Sequence, residues 1–223
     1  ATSAAFTGAT ISNSVTLRVG DGDATTPNEI GTIGATTIAS GKTLSVIVGA
    51  ASTGASQAGS GGINFTGTVG GATGSLSVTG AANGTVASNA ATVDFNGALT
   101  LSSLSLAGGA GGSDVGSALT VTDIGVTSAI TTLSISGGDG STSATKAGGA
   151  VILSDSTGDI SGTTYTIKGG AGAVSDGTAN GGGGGAVTVT AHAGAISSTT
   201  LNIQSGDGAT GFATNKTGGV GGA

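Results

Sequence analysis

The chain has 223 residues, of which 48 are Gly and one is Pro, with no Cys, Met or Trp and only 2% aromatic residues. That inventory excludes a conventional core of large interlocking side chains. A formal net charge of −6 and a sequence pI near 4.2 argue against nucleic acid as a partner. Phosphate binding needs clustered Lys and Arg, and Arg18, Lys42, Lys146, Lys168 and Lys216 are scattered.

Simple disorder does not fit either, because disordered segments combine low hydropathy with high charge. Here 36% of residues are hydrophobic and 7% charged, with a mean hydropathy of +0.34. No apolar run approaches the roughly 18 residues that would span a bilayer, so no membrane helix is expected. The lack of cysteine removes disulfides and thiolate metal sites. It suits an extracellular chain, and the opening "ATSAAF" has the small residues usually left after signal cleavage. A mature secreted protein is therefore expected.

In chain order, one short motif recurs. It begins in "TLRVGDGD" (16–23) and returns in "SLSVTGAANG" (75–84), "SLSLAGGAGG" (103–112), "TLSISGGDGS" (132–141), "TYTIKGGAGA" (164–173) and "TLNIQSGDGA" (200–209). Its paired apolar residues are Leu17/Val19, Leu44/Val46, Leu76/Val78, Leu104/Leu106, Leu133/Ile135, Tyr165/Ile167 and Leu201/Ile203. Successive copies are 27, 32, 28, 29, 32 and 36 residues apart, a conserved unit with variable loops. A second alternating pair follows each glycine segment from the second copy onward: Ile63/Phe65, Val93/Phe95, Leu119/Val121, Val151/Leu153 and Val187/Val189. A third apolar position precedes the next copy of the first motif, as in Ile11, Ile38, Val69, Leu99, Ile160 and Ile196.

Alternation of period two puts Leu133 and Ile135 inward and Thr132, Ser134 and Ser136 outward. Glycine segments such as "GGAGG" (108–112) and "GGGGGA" (181–186) are expected to turn the chain sharply between faces, using backbone angles closed to other residues. The fold class expected is all-β: a parallel β-helix (β-solenoid) in one repeat domain, 1–223, with open ends. It has about seven coils, three short strands per coil and Gly-rich turns. At roughly 4.8 Å per coil the rod is about 34 Å long.

The elements "TLSI", "GGDG", "GGAVIL" and "GDISGTTYTI" at 132–135, 137–140, 148–153 and 158–167 resemble the right-handed β-helix repeats of secreted bacterial surface proteins. Filamentous-haemagglutinin-like adhesins and autotransporter passengers are examples. The resemblance is compositional and covers nearly the whole chain. It implies secretion, a cell-surface or matrix location and a scaffold or adhesive role. A haemagglutinin-type secretion cap is not recognisable.

Catalysis is not expected. Polysaccharide-acting β-helix enzymes need clustered carboxylates with Arg or Lys, whereas eleven acidic residues are spread along this chain with one Arg. His192, the single histidine, has no partner that spacing can name and reads as a solvent-facing or corner residue. No cofactor is expected, with Ca²⁺ the one candidate. Counting four past the second apolar residue of the first motif gives Asp23, Ala82, Ala110, Asp139, Ala171 and Asp207, a column interrupted by Ala. Two past the second apolar residue of the second motif stand Asp123 and Asp155 on neighbouring coils, where two like charges bind a cation or raise a pKa. Asp207 would lie beside Asp21 and Asp23 of a second copy at an end-to-end joint, giving a further Ca²⁺ candidate.

The outward residues of the first motif, from Thr16/Arg18 through Thr132/Ser134 to Thr200/Asn202, form a nearly continuous hydroxyl stripe. It suits glycans or other surfaces, and it keeps an ice-binding solenoid open as an alternative. N-x-[ST] matches stand at Asn64, Asn83 and Asn215. The two termini are complementary: "TGGVGGA" (217–223) breaks off where "NGGGGGAVTVT" (180–190) enters its second motif, and "AAFTG" (4–8) resembles "INFTG" (63–67) and "VDFNG" (93–97). The expected partner is the chain itself, as a head-to-tail homopolymer or as the continuation of a longer repeat chain. The expected role is a structural piece of an extracellular filament, with an adhesin or surface-layer-type module as the alternative.

Overall fold

A computed structural model describes residues 5–19, 30–48, 61–80, 91–111, 116–124, 128–141, 145–154, 158–174, 180–190, 193–209 and 219–223. These residues form a parallel β-solenoid. All described strand pairs are parallel, and no helix occurs among them. The first sheet stacks β1 (Ala5–Phe6), β4 (Ile30–Ile33), β7 (Gly62–Phe65), β9 (Ala91–Phe95), β11 (Leu119–Ile124), β13 (Val151–Ser154) and β15 (Val187–Thr190) in that order. The second stacks β2 (Ala9–Ile11), β5 (Thr36–Ile38), β8 (Val69–Gly80), β10 (Leu99–Ala107), β12 (Ser128–Ser136), β14 (Ile160–Lys168) and β16 (Ile196–Gln204), with β3 (Val15–Val19) and β6 (Thr43–Val48) joining it through β8.

Three short strands per coil therefore hold only in the first two passes. From β8 onward the third apolar position and the first motif fuse into one long strand bent at its middle. The bend carries a register irregularity between Leu101 and Ser103, and Ser102 Oγ donates to the Gly74 carbonyl there at 2.9 Å. At this position a side-chain bond thus ties the bend to the neighbouring coil where the backbone register slips.

Inward side chains make a narrow aliphatic stack. Leu44, Leu76, Leu104, Leu133 and Tyr165 follow one another in register, as do Val46, Val78, Leu106, Ile135 and Ile167, and all are buried. Phe65 and Phe95 stack with ring centroids 4.9 Å apart and 16° between planes. The register of two repeats differs from the sequence expectation by two residues. Val15 and Leu17, not Leu17 and Val19, lie beside Leu44 and Val46. Ala91 and Val93 lie beside Leu119 and Val121, with a shift between Thr122 and Ile124. Since two residues preserve the strand face, the slip is invisible to an inward/outward pattern.

The glycine segments supply the third side of the coil, and for a reason other than turning. Segments leaving the second sheet (108–111, 137–141, 169–173, 205–209) alternate with segments returning to the first (116–118, 147–150, 182–186, 219–223). A backbone zigzag ties them together: Gly138 N–H to Ser117 O (2.9 Å), Gly149 to Gly138 (2.7 Å), Gly170 to Gly149 (2.9 Å), Gly185 to Gly170 (2.8 Å) and Gly206 to Gly185 (2.8 Å). Within one segment, Gly137 and Gly140, three residues apart, instead bond the next coil at Lys168 O and Ala171 O. A repeat of three with no bonds inside the segment is that of polyproline II.

Among the described residues, positive φ occurs only at Gly8, Gly41, Gly71 and Thr145, so these segments do not use left-handed angles. What they need is the missing Cβ: one built on Gly138, Gly170 or Gly185 would collide with the carbonyl of Gly109, Gly138 or Gly149 respectively. Thr145 is the opposite case, a β-branched residue at φ 71°, which costs on the order of 1–3 kcal/mol. Thr145→Gly is expected to raise the urea midpoint by roughly 1 kcal/mol of stability; an unchanged or lower midpoint would contradict the strain.

Candidate interaction surfaces

The outer face of the second sheet carries two hydroxyl columns. Register places Thr43, Ser75, Ser103, Thr132, Thr164 and Thr200 in one, and Ser45, Ser77, Ser105, Ser134, Thr166 and Asn202 in the other. Thr16 heads the second column, beside Ser45, and Arg18 lies beside Ile47. Neither column holds a charge. At the bend of the same sheet, an open trough of 360 Å³ runs across four strands between Ala72, Thr100, Thr131 and Ser161.

The described carboxylates clamp neighbouring coils. Asp139 Oδ1 accepts the Ala171 N–H at 2.8 Å, and Asp159 Oδ1 accepts the Ala195 N–H at 2.8 Å. An anion on a backbone amide is a stronger bond than a neutral pair. Asp207 Oδ2 takes Lys168 Nζ at 3.0 Å, with the carboxylate side chain 77% exposed. Such a surface pair contributes less than about 1 kcal/mol. On the first sheet, Asn96 Nδ2 donates to Asn64 Oδ1 at 2.8 Å and to Asp94 Oδ2 at 3.0 Å.

Of the Ca²⁺ candidates, Asp207 is held by a lysine. Asp123 belongs to β11, though its side chain lies outside the described residues, as do Asp21, Asp23, Asp155 and His192. Among the described residues no three His, Cys, Asp or Glu side chains gather as a metal cluster would. The amide clamps of Asp139 and Asp159 were not read from the sequence. The column Ala110, Asp139, Ala171, Asp207 is visible there, but that Asp139 serves the Ala171 amide one coil on emerges only with the register.

Tyr165 is fully buried, and its hydroxyl has no hydrogen-bond partner. Burial pushes the phenol up to about 12. A folded-state pKa above the unfolded value near 10 favours the protonated form, so its contribution is complete below about pH 10 and lost as pH rises to about 12. Tyr165→Phe removes an unsatisfied polar atom and is expected to be neutral or stabilising by about 1 kcal/mol at pH 7. As pH rises from about 10 to about 12 the native chain should lose on the order of 2 kcal/mol that the variant keeps. Parallel alkaline denaturation curves for the two would refute this.

The outermost described strands cover the core columns least. At the β15–β16 end Val189, Leu201 and Ile203 are 41%, 48% and 46% exposed. At the β1–β3 end Phe6, Val15 and Leu17 are only partly buried against the core. Among the described residues, the buried Ser128 Oγ accepts the Leu99 N–H of the neighbouring coil at 3.0 Å. Known families, curated proteins and solved structures include none that the chain matches.

Proposed function

We propose that the chain is a structural piece of an extracellular filament, a secreted rod whose coils carry load along continuous backbone ladders and which extends end to end. The observation that carries this reading is the unbroken parallel stack of both sheets, in which like residues follow one another in register coil after coil. Val189, Leu201 and Ile203 continue columns that are buried in the coils before them, and a fold built by adding like coils is suited to a long rod. Composition and the adhesin-like repeats support the extracellular setting. The role is that of a scaffold without a cofactor.

Purified chain 1–223 should form unbranched filaments by electron microscopy, with a sedimentation coefficient that rises with concentration. Leu201→Asp combined with Ile203→Asp should leave single rods. A native chain that stays monomeric up to millimolar concentration would overturn the reading. A second reading, a surface-binding adhesin, is favoured by the uncharged hydroxyl columns and the adjoining trough. Retention on crystalline polysaccharide that is lost with Ser105→Lys and Ser134→Lys would support it.

A further inference from the structure

The trough at the bend of the second sheet crosses β8, β10, β12 and β14, so it runs along the rod axis rather than along any strand. Three steps between neighbouring strands span about 14 Å. The trough's 360 Å³ lies within the roughly 300–1,000 Å³ typical of ligand sites. One rim is the column Thr100, Ala129, Ser161, set side by side by the register, and the other holds Ala72 and Thr131. Leu101 and Ile130 lie beside each other between the rims, with both side chains buried in the core. Their backbone, continued by Gly162, makes the floor. A Cβ on Gly162 would collide with the Ile130 carbonyl, so the floor is bare there.

A second observation points to a ligand at the same place. The Tyr165 phenol is fully buried without a hydrogen-bond partner, and its oxygen lies 2.8 Å from where a Gly162 Cβ would stand. An unsatisfied donor therefore sits directly beneath the bare part of the floor, and such an orphan calls for a physical reason. The chemistry of the lining narrows what the ligand is. No charged residue lines the trough, and the chain's net charge of −6 repels polyanions. A peptide binds a sheet by adding a strand at an edge, but all four strands here are flanked on both sides. A purely apolar ligand would leave the hydroxyls of Thr100, Thr131 and Ser161 unpaired. What remains is an uncharged chain rich in hydroxyls, each of which donates one bond and accepts two, as the rim hydroxyls do.

We propose that the trough takes an extended, uncharged polysaccharide laid parallel to the rod axis, with sugar hydroxyls on both rims and one over Gly162, where the Tyr165 phenol gains the partner it lacks. This rests on the adhesin reading above and gives that reading its ligand class. Because the floor repeats once per coil along the axis, a straight β-linked chain follows it and a coiled α-linked chain does not. The chain has one Tyr and no Trp, so its tyrosine emission reports on the trough alone.

Titration with cellohexaose, a straight β-linked glucose oligomer, should change that emission saturably. Maltohexaose, its coiled α-linked isomer, and an anionic oligogalacturonate should bind at least tenfold more weakly. Thr100→Val combined with Thr131→Val removes two rim hydroxyls at exposed positions and keeps strand-forming residues. That variant should bind cellohexaose at least tenfold more weakly, with circular dichroism and urea midpoint as in the native chain. Equal affinity of the folded variant, or of either control oligomer for the native chain, would overturn the proposal; the oligomer comparison needs no variant to fold. Cellohexaose bound in equilibrium dialysis without a change in tyrosine emission would overturn its placement in the trough. If crystalline polysaccharide retains the native chain and the trough variant but releases the Ser105→Lys and Ser134→Lys variants, the adhesin reading stands and the trough falls. If neither polymer nor oligomer binds, both fall together.

Discussion

Gly170→Ala is expected to destabilise the chain by about 3–5 kcal/mol, enough to abolish folding in a domain of ordinary marginal stability. Gly170 sits at the middle of the glycine zigzag, donating to Gly149 at 2.9 Å and accepting from Gly185 at 2.8 Å. A single methyl there meets the carbonyl of Gly138, with the Gly138 carbonyl carbon at 2.6 Å and the Gly149 nitrogen at 2.9 Å. These are backbone atoms, which cannot swing aside as a flexible side chain would. Overpacking costs about 1–3 kcal/mol, and each of the two buried backbone bonds it disturbs adds about 1 kcal/mol or more. Gly221→Ala is the control, since its nearest neighbour is the Gly206 oxygen at 3.7 Å; a change within about 0.5 kcal/mol is expected. Urea titrations that place the two variants within error of each other would refute backbone-to-backbone packing.

That contrast also marks where reading the sequence stops. Leu133, Ile135 and their counterparts are inward because strand alternation is a two-residue rule needing no partner, so the solenoid class and its aliphatic stack are legible. Glycine is ambiguous by nature. In "SGGDGS" it can serve a left-handed turn or a close approach, and only the neighbouring coil, some thirty residues away, decides. For the same reason the hydroxyl columns can be listed from the sequence but Val15 cannot be told from Leu17 as the partner of Leu44, because a slip of two keeps each face intact. The clamps at Asp139 and Asp159 depend on which amide faces them one coil later.

Ile135→Asp is expected to be the most damaging change on the strand faces. Ile135 has no exposed surface and lies in register between Leu106 and Ile167, so its side chain is walled in by coils above and below. Removing the isoleucine forfeits about 2–5 kcal/mol of burial and leaves a cavity. The carboxylate that replaces it is an ion without a partner in an aliphatic stack, which adds several kcal/mol or forces protonation. The adjacent Ser134 is exposed, and Ser134→Asp should cost no more than about 0.5 kcal/mol. The two variants differ by one position along the same strand, so strand propensity and loop effects cancel between them. Acid should discriminate further. Burial raises the introduced carboxyl above its unfolded value near 4, so the variant is least handicapped below about pH 4 and loses stability as pH rises through the folded-state pKa. Relative to the native chain, Ile135→Asp should therefore be less destabilised at pH 3.5 than at pH 7, while Ser134→Asp shows no such recovery. Equal tolerance of both substitutions at pH 7 would mean that Ile135 does not face the stack.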